Sequence, residues 1–366
     1  MKIQPCVIIL SIVMLFVVYR MATIQYEETE MEATSHPFDT ILDSGTSEPR
    51  VGYLPHGIVH SRSDMEVKPL WLAKGSKERN QSYRNLLAMP VGIKQKNNVD
   101  IIVTKFLSEN FTVILFHYDG NVNEWNEFWW SKNVIHIAAN DQTKWWFAKR
   151  FLHPDVVSIY DYIFLWDEDL GVDNFHPGRY LKIMKLESLE ISQPALDPQL
   201  SEVHHRLTAR RKKGRVHRRV YGSQGRRKCT SKGPPCAGWV EGMAPVFSRS
   251  AWRCAWHLIQ NDLIHGWGMD MKLGYCAQGD RTRNVGIIDS EFVVHQGVQT
   301  LGMSSNVKKH RTGRGTLDAR VEVRRRARSE LECFQERWDR ATREDEGWVD
   351  PFLHDQRKDK KHARIL

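Results

Sequence analysis

Asp161-Tyr162-Ile163-Phe164-Leu165-Trp166-Asp167-Glu168-Asp169 runs from an apolar strand directly into three carboxylates. A short continuous apolar run, without alternation, is the pattern of a strand covered on both faces. An acidic triplet by itself is ordinarily a solvated loop or a helix cap. At the end of a buried strand, clustered like charges are costly unless a cation offsets them. A hard divalent ion takes carboxylate oxygens and leaves room for substrate phosphates. Asp167 and Asp169 lie two apart, so an extended backbone puts them on one face.

Working upstream, Leu86 to Val91, Phe111 to Tyr118 and Val134 to Ala139 read as strands, and Val99 to Leu107 and Thr143 to Phe151 as helices. The aromatic stretch Glu124 to Trp130 also reads as helical. This β-α-β-α order over the stretch that ends at the acids predicts a mostly parallel sheet flanked by helices. Ligands then gather at the carboxyl ends of the strands. No Gly-x-Gly-x-x-Gly follows the first strand and no Walker loop occurs, which disfavours a dinucleotide or P-loop enzyme.

Downstream come Gly238 to Arg249, rich in glycine and ending in Phe247-Ser248-Arg249, and a helix from about Ser250 to Gln260. Asn261 to Asp270 follows, containing Gly266-Trp267-Gly268-Met269-Asp270, and then a strand ending in His295. That order resembles metal-dependent glycosyltransferases of the GT-A type, which use sugar nucleotides. A closer resemblance is to a plant family, the "domain of unknown function 707" proteins, which carry a lysine-ketoglutarate-reductase trans-splicing-related label. Gln142 to Pro154, Asp161 to Asp169, Ile191 to Pro198, Gly233 to Cys236 and Asn261 to Asp280 carry it, and it covers roughly Leu86 to Leu301.

The GT-A resemblance implies a GT-A-like, Rossmann-like fold and a set of roles. Asp167 and Asp169 would hold Mn²⁺ or Mg²⁺ against the donor diphosphate, with His295 as third ligand, while Glu168 has no assigned role. Lys144, with Lys149 and Arg150, would assist the donor phosphates. Asp270 would take the proton of an acceptor hydroxyl, although Met269 stands where many such enzymes have Glu. Trp239 and Trp267 are candidates for stacking on sugar faces or for core packing, and Gly242 and Gly268 would let backbone approach the acceptor. A nucleotide-sugar donor and an unidentified glycan acceptor are the implied partners. The rival readings are a non-catalytic scaffold of the same fold and a nucleic-acid-associated regulator, as the family label suggests.

The rest of the chain sets the context. Its 366 residues are 41% hydrophobic, with 13 Trp, which is enough for a full core and excludes overall disorder. Cys6 to Tyr19 is apolar apart from Ser11 and is followed by Arg20. It reads as a cleaved signal peptide or an uncleaved anchor. The residues around Arg20 make a poor cleavage site and favour an N-terminal transmembrane helix. The division expected is a cytosolic tip and signal anchor over 1–24, a stem over 25–75, a lumenal domain over 76–300 and a charged helix and tail over 301–366. Sequons at Asn80 and Asn110 fit a single-pass type II protein of the Golgi or secretory-pathway membrane.

The net charge of +9 is concentrated. Val203 to Val240 holds twelve Lys and Arg and no acid, so the other 41 basic residues face 44 acidic ones. Few aromatics interleave and no recognition module is present, so nucleic acid is disfavoured. The segment is expected to be an exposed loop, either solvated or meeting an anionic ligand. No Cys-x-x-Cys pair occurs, which argues against zinc. Cys229 with Cys236 and Cys254 with Cys276 are the disulfides considered, leaving an odd thiol.

Overall fold

Side-chain alternation on the first four strands explains how apolar runs build both halves of the core. The computed structural model describes residues 14–16, 18–20, 54–55, 58, 84–219, 235–262, 264–298 and 315–351. β1 (Arg84–Val91), β2 (Phe111–His117), β3 (Ile135–Ala138) and β4 (Tyr160–Leu165) are all parallel, with β1 between β2 and β4. Leu86, Ala88, Phe116, Ile163 and Leu165 enter one buried cluster, and Leu87, Met89, Val113, Leu115 and Phe164 enter the other. Period-two alternation with both sets apolar is what two covered faces require.

α1 (Lys96–Leu107) and α3 (Pro177–Leu186) cover the second face through Val99, Ile102, Val103, Phe106, Tyr180 and Met184. α2 (Lys144–Phe151) and α4 (Arg249–Leu258) cover the first through Trp145, Phe147, Ala148, Trp252, Ala255 and Trp256. The Ser248 side chain caps α4 by accepting from the Ala251 N–H.

Beyond β4 the expectation of a mostly parallel sheet fails. The remaining strands are β5 (Leu170–Gly171), β6 (Ile191–Leu196), β7 (Val216–His217), β8 (Val246–Ser248) and β9 (Val285–His295). The order across the sheet is β3-β2-β1-β4-β8-β6-β9-β5, with β7 also paired to β9. β8 is antiparallel to both β4 and β6, and β5 and β7 are antiparallel to β9, while β6 and β9 are parallel. The sheet is therefore mixed. Crossover connections enforce parallel pairing only up to β4, and antiparallel strands need none. The aromatic stretch expected to be helical makes two 3₁₀ turns instead, at Asn123–Trp125 and Ser131–Asn133. There Trp125 and Trp130 bury their rings and Phe128 stacks on Trp130, rather than lining one helical stripe.

The charged C-terminal helix, α6 (Gly315–Glu344), belongs to the core as well. Ala327, Phe334, Trp338 and Ala341 are buried along one stripe, and Trp338 meets Tyr275 at 4.9 Å between ring centroids. Between α4 and β9 a 3₁₀ segment spans Asp270–Cys276, followed by the short α5 (Arg281–Asn284).

The described sheet and helices lie in a compact unit of residues 49–67 and 73–366. The second unit takes in residues 1–48 and 68–72, of which 14–16 and 18–20 are described, as helix. Among the described residues no helix is long and apolar enough to cross a membrane. Most of the expected anchor lies outside them, as do Asn80, Cys229 and the expected stem apart from Leu54, Pro55 and Ile58; Leu54 and Ile58 are buried in the first cluster, unlike residues of a free stem. Asn110 is exposed just ahead of β2.

Cys254 and Cys276 form a disulfide, joining α4 to the end of the 3₁₀ segment. Cys236 is also disulfide-bonded, and Cys333 is free and exposed. The Cys254–Cys276 bridge closes a sequence separation of 22 residues. Loop-closure entropy for a bridge of that span gives about 3 kcal/mol. Replacing both cysteines with Ala should lower unfolding free energy by about that amount in urea titration. A midpoint equal to that of the oxidised wild type would refute the structural role.

Candidate functional site

Each carboxylate of the acid turn finds a different partner. The turn leaves β4 with the Trp166 N–H donating to the Ala88 carbonyl at 3.1 Å and the Asp167 N–H to the Met243 carbonyl at 2.9 Å. From α1, the Asn98 side-chain amide donates to the carbonyls of Glu168 and Leu170. The turn is thus tied to β1, to the segment before β8 and to α1.

Asp167 is paired with Lys144. Lys144 opens α2 and is buried, and its ammonium donates to Asp167 Oδ1 at 2.6 Å, to the Gly242 carbonyl at 2.6 Å and to the Met243 carbonyl at 3.3 Å. All three ammonium protons have acceptors within the chain. Burial pushes the Asp167 carboxyl up, against the pull of the Lys144 ammonium. The side chain keeps 36% of its surface open, so it stays within reach of a ligand.

Glu168, unassigned by sequence, is a latch. One carboxylate oxygen accepts the Gly92 N–H at 2.7 Å and the other the Tyr118 hydroxyl at 2.5 Å. Gly92 and Tyr118 stand just past the ends of β1 and β2, so Glu168 fastens the carboxyl ends of three parallel strands. Burial pushes its carboxyl up to about 8, although both hydrogen bonds favour the charged form. A side chain on Gly92 would collide with the Tyr118 ring, so this junction requires glycine.

Asp169 and His295 are brought together by strand pairing. β5 follows the acid turn at once and pairs antiparallel with the end of β9, setting Leu170 opposite His295. The Gln296 N–H donates to the Asp169 carbonyl at 3.0 Å, and the Val298 N–H to Asp169 Oδ2 at 2.9 Å. His295 Nε2 lies 3.4 Å from Asp169 Oδ2. Its Nδ1 lies 2.9 Å from the Glu202 carbonyl, which assigns the N–H to Nδ1. Burial lowers the imidazole, but the hydrogen bonds to Asp169 and the Glu202 carbonyl and the nearby carboxylate charges outweigh it and raise it to about 9.

This pair fits a divalent ion. Two ligands on one ion, each about 2.1 Å from it, lie about 3.0–3.4 Å apart. With Nδ1–H held by a backbone carbonyl, Nε2 is the nitrogen that could bind a metal, which would have to displace the proton it shares with Asp169. Among the described residues no group of three His, Cys, Asp or Glu is arranged around a common point. Mn²⁺ and Mg²⁺ sites that use substrate phosphates need only one or two protein carboxylates.

Asp270 sits apart from the acid turn and begins the 3₁₀ segment. Its Oδ1 is buried without a hydrogen-bond partner. Burial, and then the Glu241 charge, push its carboxyl up to about 7, against the N–H groups of Met271, Gly268 and Asp270 itself. Trp145 bridges the two regions. It neighbours Lys144, its indole N–H donates to the His265 carbonyl at 3.2 Å, and its ring packs against Gly242 and Gly266. Gly266 has φ +84° and leaves no room for a side chain beside that indole. α6 braces the same loop: Glu330 accepts the His265 N–H at 2.8 Å and meets its ring at 2.7 Å, and Leu331 and Phe334 pack on Gly268.

The two candidate tryptophans separate. Trp239 is 2% exposed and packs in the core, whereas Trp267 is 47% exposed on the Asp270 loop. Lys149 donates to the Trp256 carbonyl and lies over the Trp256 ring, and Arg150 donates to Asn261, so both are occupied away from the acid turn. The described part of the basic segment is less free than a solvated loop. β7 pairs with β9, and the Arg210 side chain, the Arg211 N–H and His217 all bond Asp289. Two residues unassigned by sequence join the site: His204 lies 3.3 Å from Glu241 and its ring lies against His295. Glu241 stands inside the quoted Gly238 to Arg249 stretch, and no spacing rule marks it.

A family model described as "Protein of unknown function (DUF707)" matches residues 46–344, and the chain belongs to that family. Comparison with curated proteins finds no match.

The Asp270 carboxyl binds a proton in the folded state between about 3.8, its ordinary value, and about 7. The stability it contributes is therefore fully present below the lower value and is lost as pH rises through the upper one. In chelator, the melting temperature of wild type relative to Asp270→Asn should fall between pH 5 and pH 8. A constant difference across that range would show that the carboxyl titrates normally.

Proposed function

We propose that this member of the DUF707 family is a divalent-cation-dependent glycosyltransferase of the secretory pathway, moving a sugar from a nucleotide diphosphate donor to a glycan acceptor. The observation that carries this reading is the Asp169–His295 pair, 3.4 Å apart, with the other imidazole nitrogen held by a backbone carbonyl. Asp169 and His295 would hold Mn²⁺ or Mg²⁺, with Asp167 beside them. When bound, the ion would stabilise negative charge developing on the departing diphosphate.

The chain's own groups supply the remaining work. The Lys144 ammonium holds Asp167 in place and adds positive charge beside the donor site. The new bond joins the acceptor oxygen to the sugar while the sugar–diphosphate bond breaks, and the acceptor proton passes to Asp270. A carboxyl raised to about 7 is matched to a general base working near neutral pH. The N-terminal apolar run and the exposed Asn110 sequon support a lumenal, membrane-anchored setting. Nucleic acid has no part in this reading.

One observation favours a second reading, a non-catalytic scaffold: the acid turn is already neutralised from within, by Lys144 on Asp167 and the imidazole on Asp169. Calorimetric titration with Mn²⁺, followed by hydrolysis of a panel of nucleotide sugars, separates the two. Wild type should bind Mn²⁺ and hydrolyse a donor only in its presence. Asp169→Ala and His295→Ala should each weaken Mn²⁺ by about 100-fold or more, since losing even an outer partner of a metal ligand costs 10–100-fold. Binding or hydrolysis unchanged by Asp169→Ala would remove the metal reading, and no binding by wild type would favour the scaffold.

A further inference from the structure

Glu241 and Asp270 are a second pair of carboxylates with unmet hydrogen-bonding capacity. Glu241 precedes Gly242, whose carbonyl accepts the Lys144 ammonium at 2.6 Å. Its backbone N–H donates to Gln193 Oε1 at 2.5 Å, and its Oε1 lies 3.3 Å from His204 Nδ1. The residue is only 8% exposed, yet its Oε2 is buried with no hydrogen-bond partner among the described residues. Asp270 Oδ1 is bare in the same way. The segments that carry them pack together, with Gly274 against the Gly238 carbonyl and the Trp145 ring against both Gly242 and Gly266.

Buried carboxylate oxygens without donors carry a desolvation penalty that an incoming donor removes. Two bare acceptors on adjoining segments call for a ligand with at least two donors. His204 holds the Oε1 side of Glu241 and leaves Oε2 for that ligand. Both bare functions are acceptors, so hydroxyl donors answer them, and the acceptor of the proposed transfer supplies such donors. Trp267, exposed on the Asp270 loop, offers a flat apolar face of the kind that accompanies a few convergent polar groups in ligand sites.

We infer that Glu241 and Asp270 form a receiving site for the hydroxyl groups of a neutral carbohydrate acceptor. Assigning the ligand as an acceptor rests on the glycosyltransferase reading; the site itself is read from the bare oxygens. Glu241 is a positioning residue that fixes a hydroxyl neighbouring the one Asp270 takes.

The test uses the full chain, fluorescently labelled, on an array of neutral gluco-, xylo-, galacto- and manno-oligosaccharides, in chelator and without nucleotide. Wild type should be retained on at least one series. Glu241→Gln, Glu241→Ala and Asp270→Asn should lose about tenfold of that retention, the loss expected for one charge-assisted hydrogen bond. Glu241→Gln should melt no lower than wild type, because it relieves repulsion between two carboxylates. Asp169→Ala should keep glycan retention while losing Mn²⁺ binding. Retention of Glu241→Gln equal to wild type, or no retained series at all, overturns the inference. A wild type that binds glycan but neither Mn²⁺ nor any nucleotide sugar defeats the transferase reading and leaves the carbohydrate site standing.

Discussion

Three carboxylates at the end of a doubly buried strand set the central constraint. β4 cannot deliver Asp167, Glu168 and Asp169 to one turn unless each charge is met within a few ångströms. The chain uses three different partners: the Lys144 ammonium at 2.6 Å, N–H and O–H donors from the ends of β1 and β2, and a histidine delivered by β9. Each also joins distant segments. Lys144 brings α2 to the acid turn, Glu168 fastens three strand ends, and Asp169 fixes where β9 must stop. Removing one partner would leave a buried charge uncompensated, which is costlier than never having the pair.

The same division separates structure from chemistry inside the triplet. Glu168 and Asp169 lie in the turn after β4, where the partners set each side chain's direction. Glu168 meets only protein donors and serves the strand junction. Asp167 stays open to solvent, and Asp169 keeps an oxygen beside His295. One step along the backbone thus decides whether a carboxylate braces the fold or faces a ligand.

The parallel half of the sheet was legible because its signals are local. Strands β1 to β4 and the helices α1 and α2 follow runs and periods that a sequence displays, and the acid turn closes that series. Strands at Phe247-Ser248 and before His295 were legible, but their antiparallel pairing was not, because β8 has only three residues and β5 two, and both are placed by neighbours far along the chain. His295 and Asp169 were identified as partners through resemblance, but the cause of their meeting is the Leu170–His295 register, which no local pattern encodes. Composition showed α6 as a charged helix but hid its burial: the stripe of Ala327, Phe334, Trp338 and Ala341 is sparse among its many charges, yet it is buried. Glu241 was invisible for another reason. Its importance lies in what its oxygen lacks, and only the packed neighbours reveal that.

α6 and the Cys254–Cys276 bridge bear on the same loop from two sides. Asp270 lies between Gly266 and Gly268, both at positive φ, and Cys276, so its segment has little intrinsic rigidity of its own. Glu330 ties the His265 N–H, Leu331 and Phe334 press on Gly268, and the disulfide anchors the far end to α4. A buried carboxyl held near neutrality depends on that bracing. If the loop relaxed by even an ångström, water would reach Oδ1, the desolvation that raises Asp270 would weaken, and it would return toward an ordinary acid. The charged C-terminal helix is therefore part of what holds Asp270 in its unusual state.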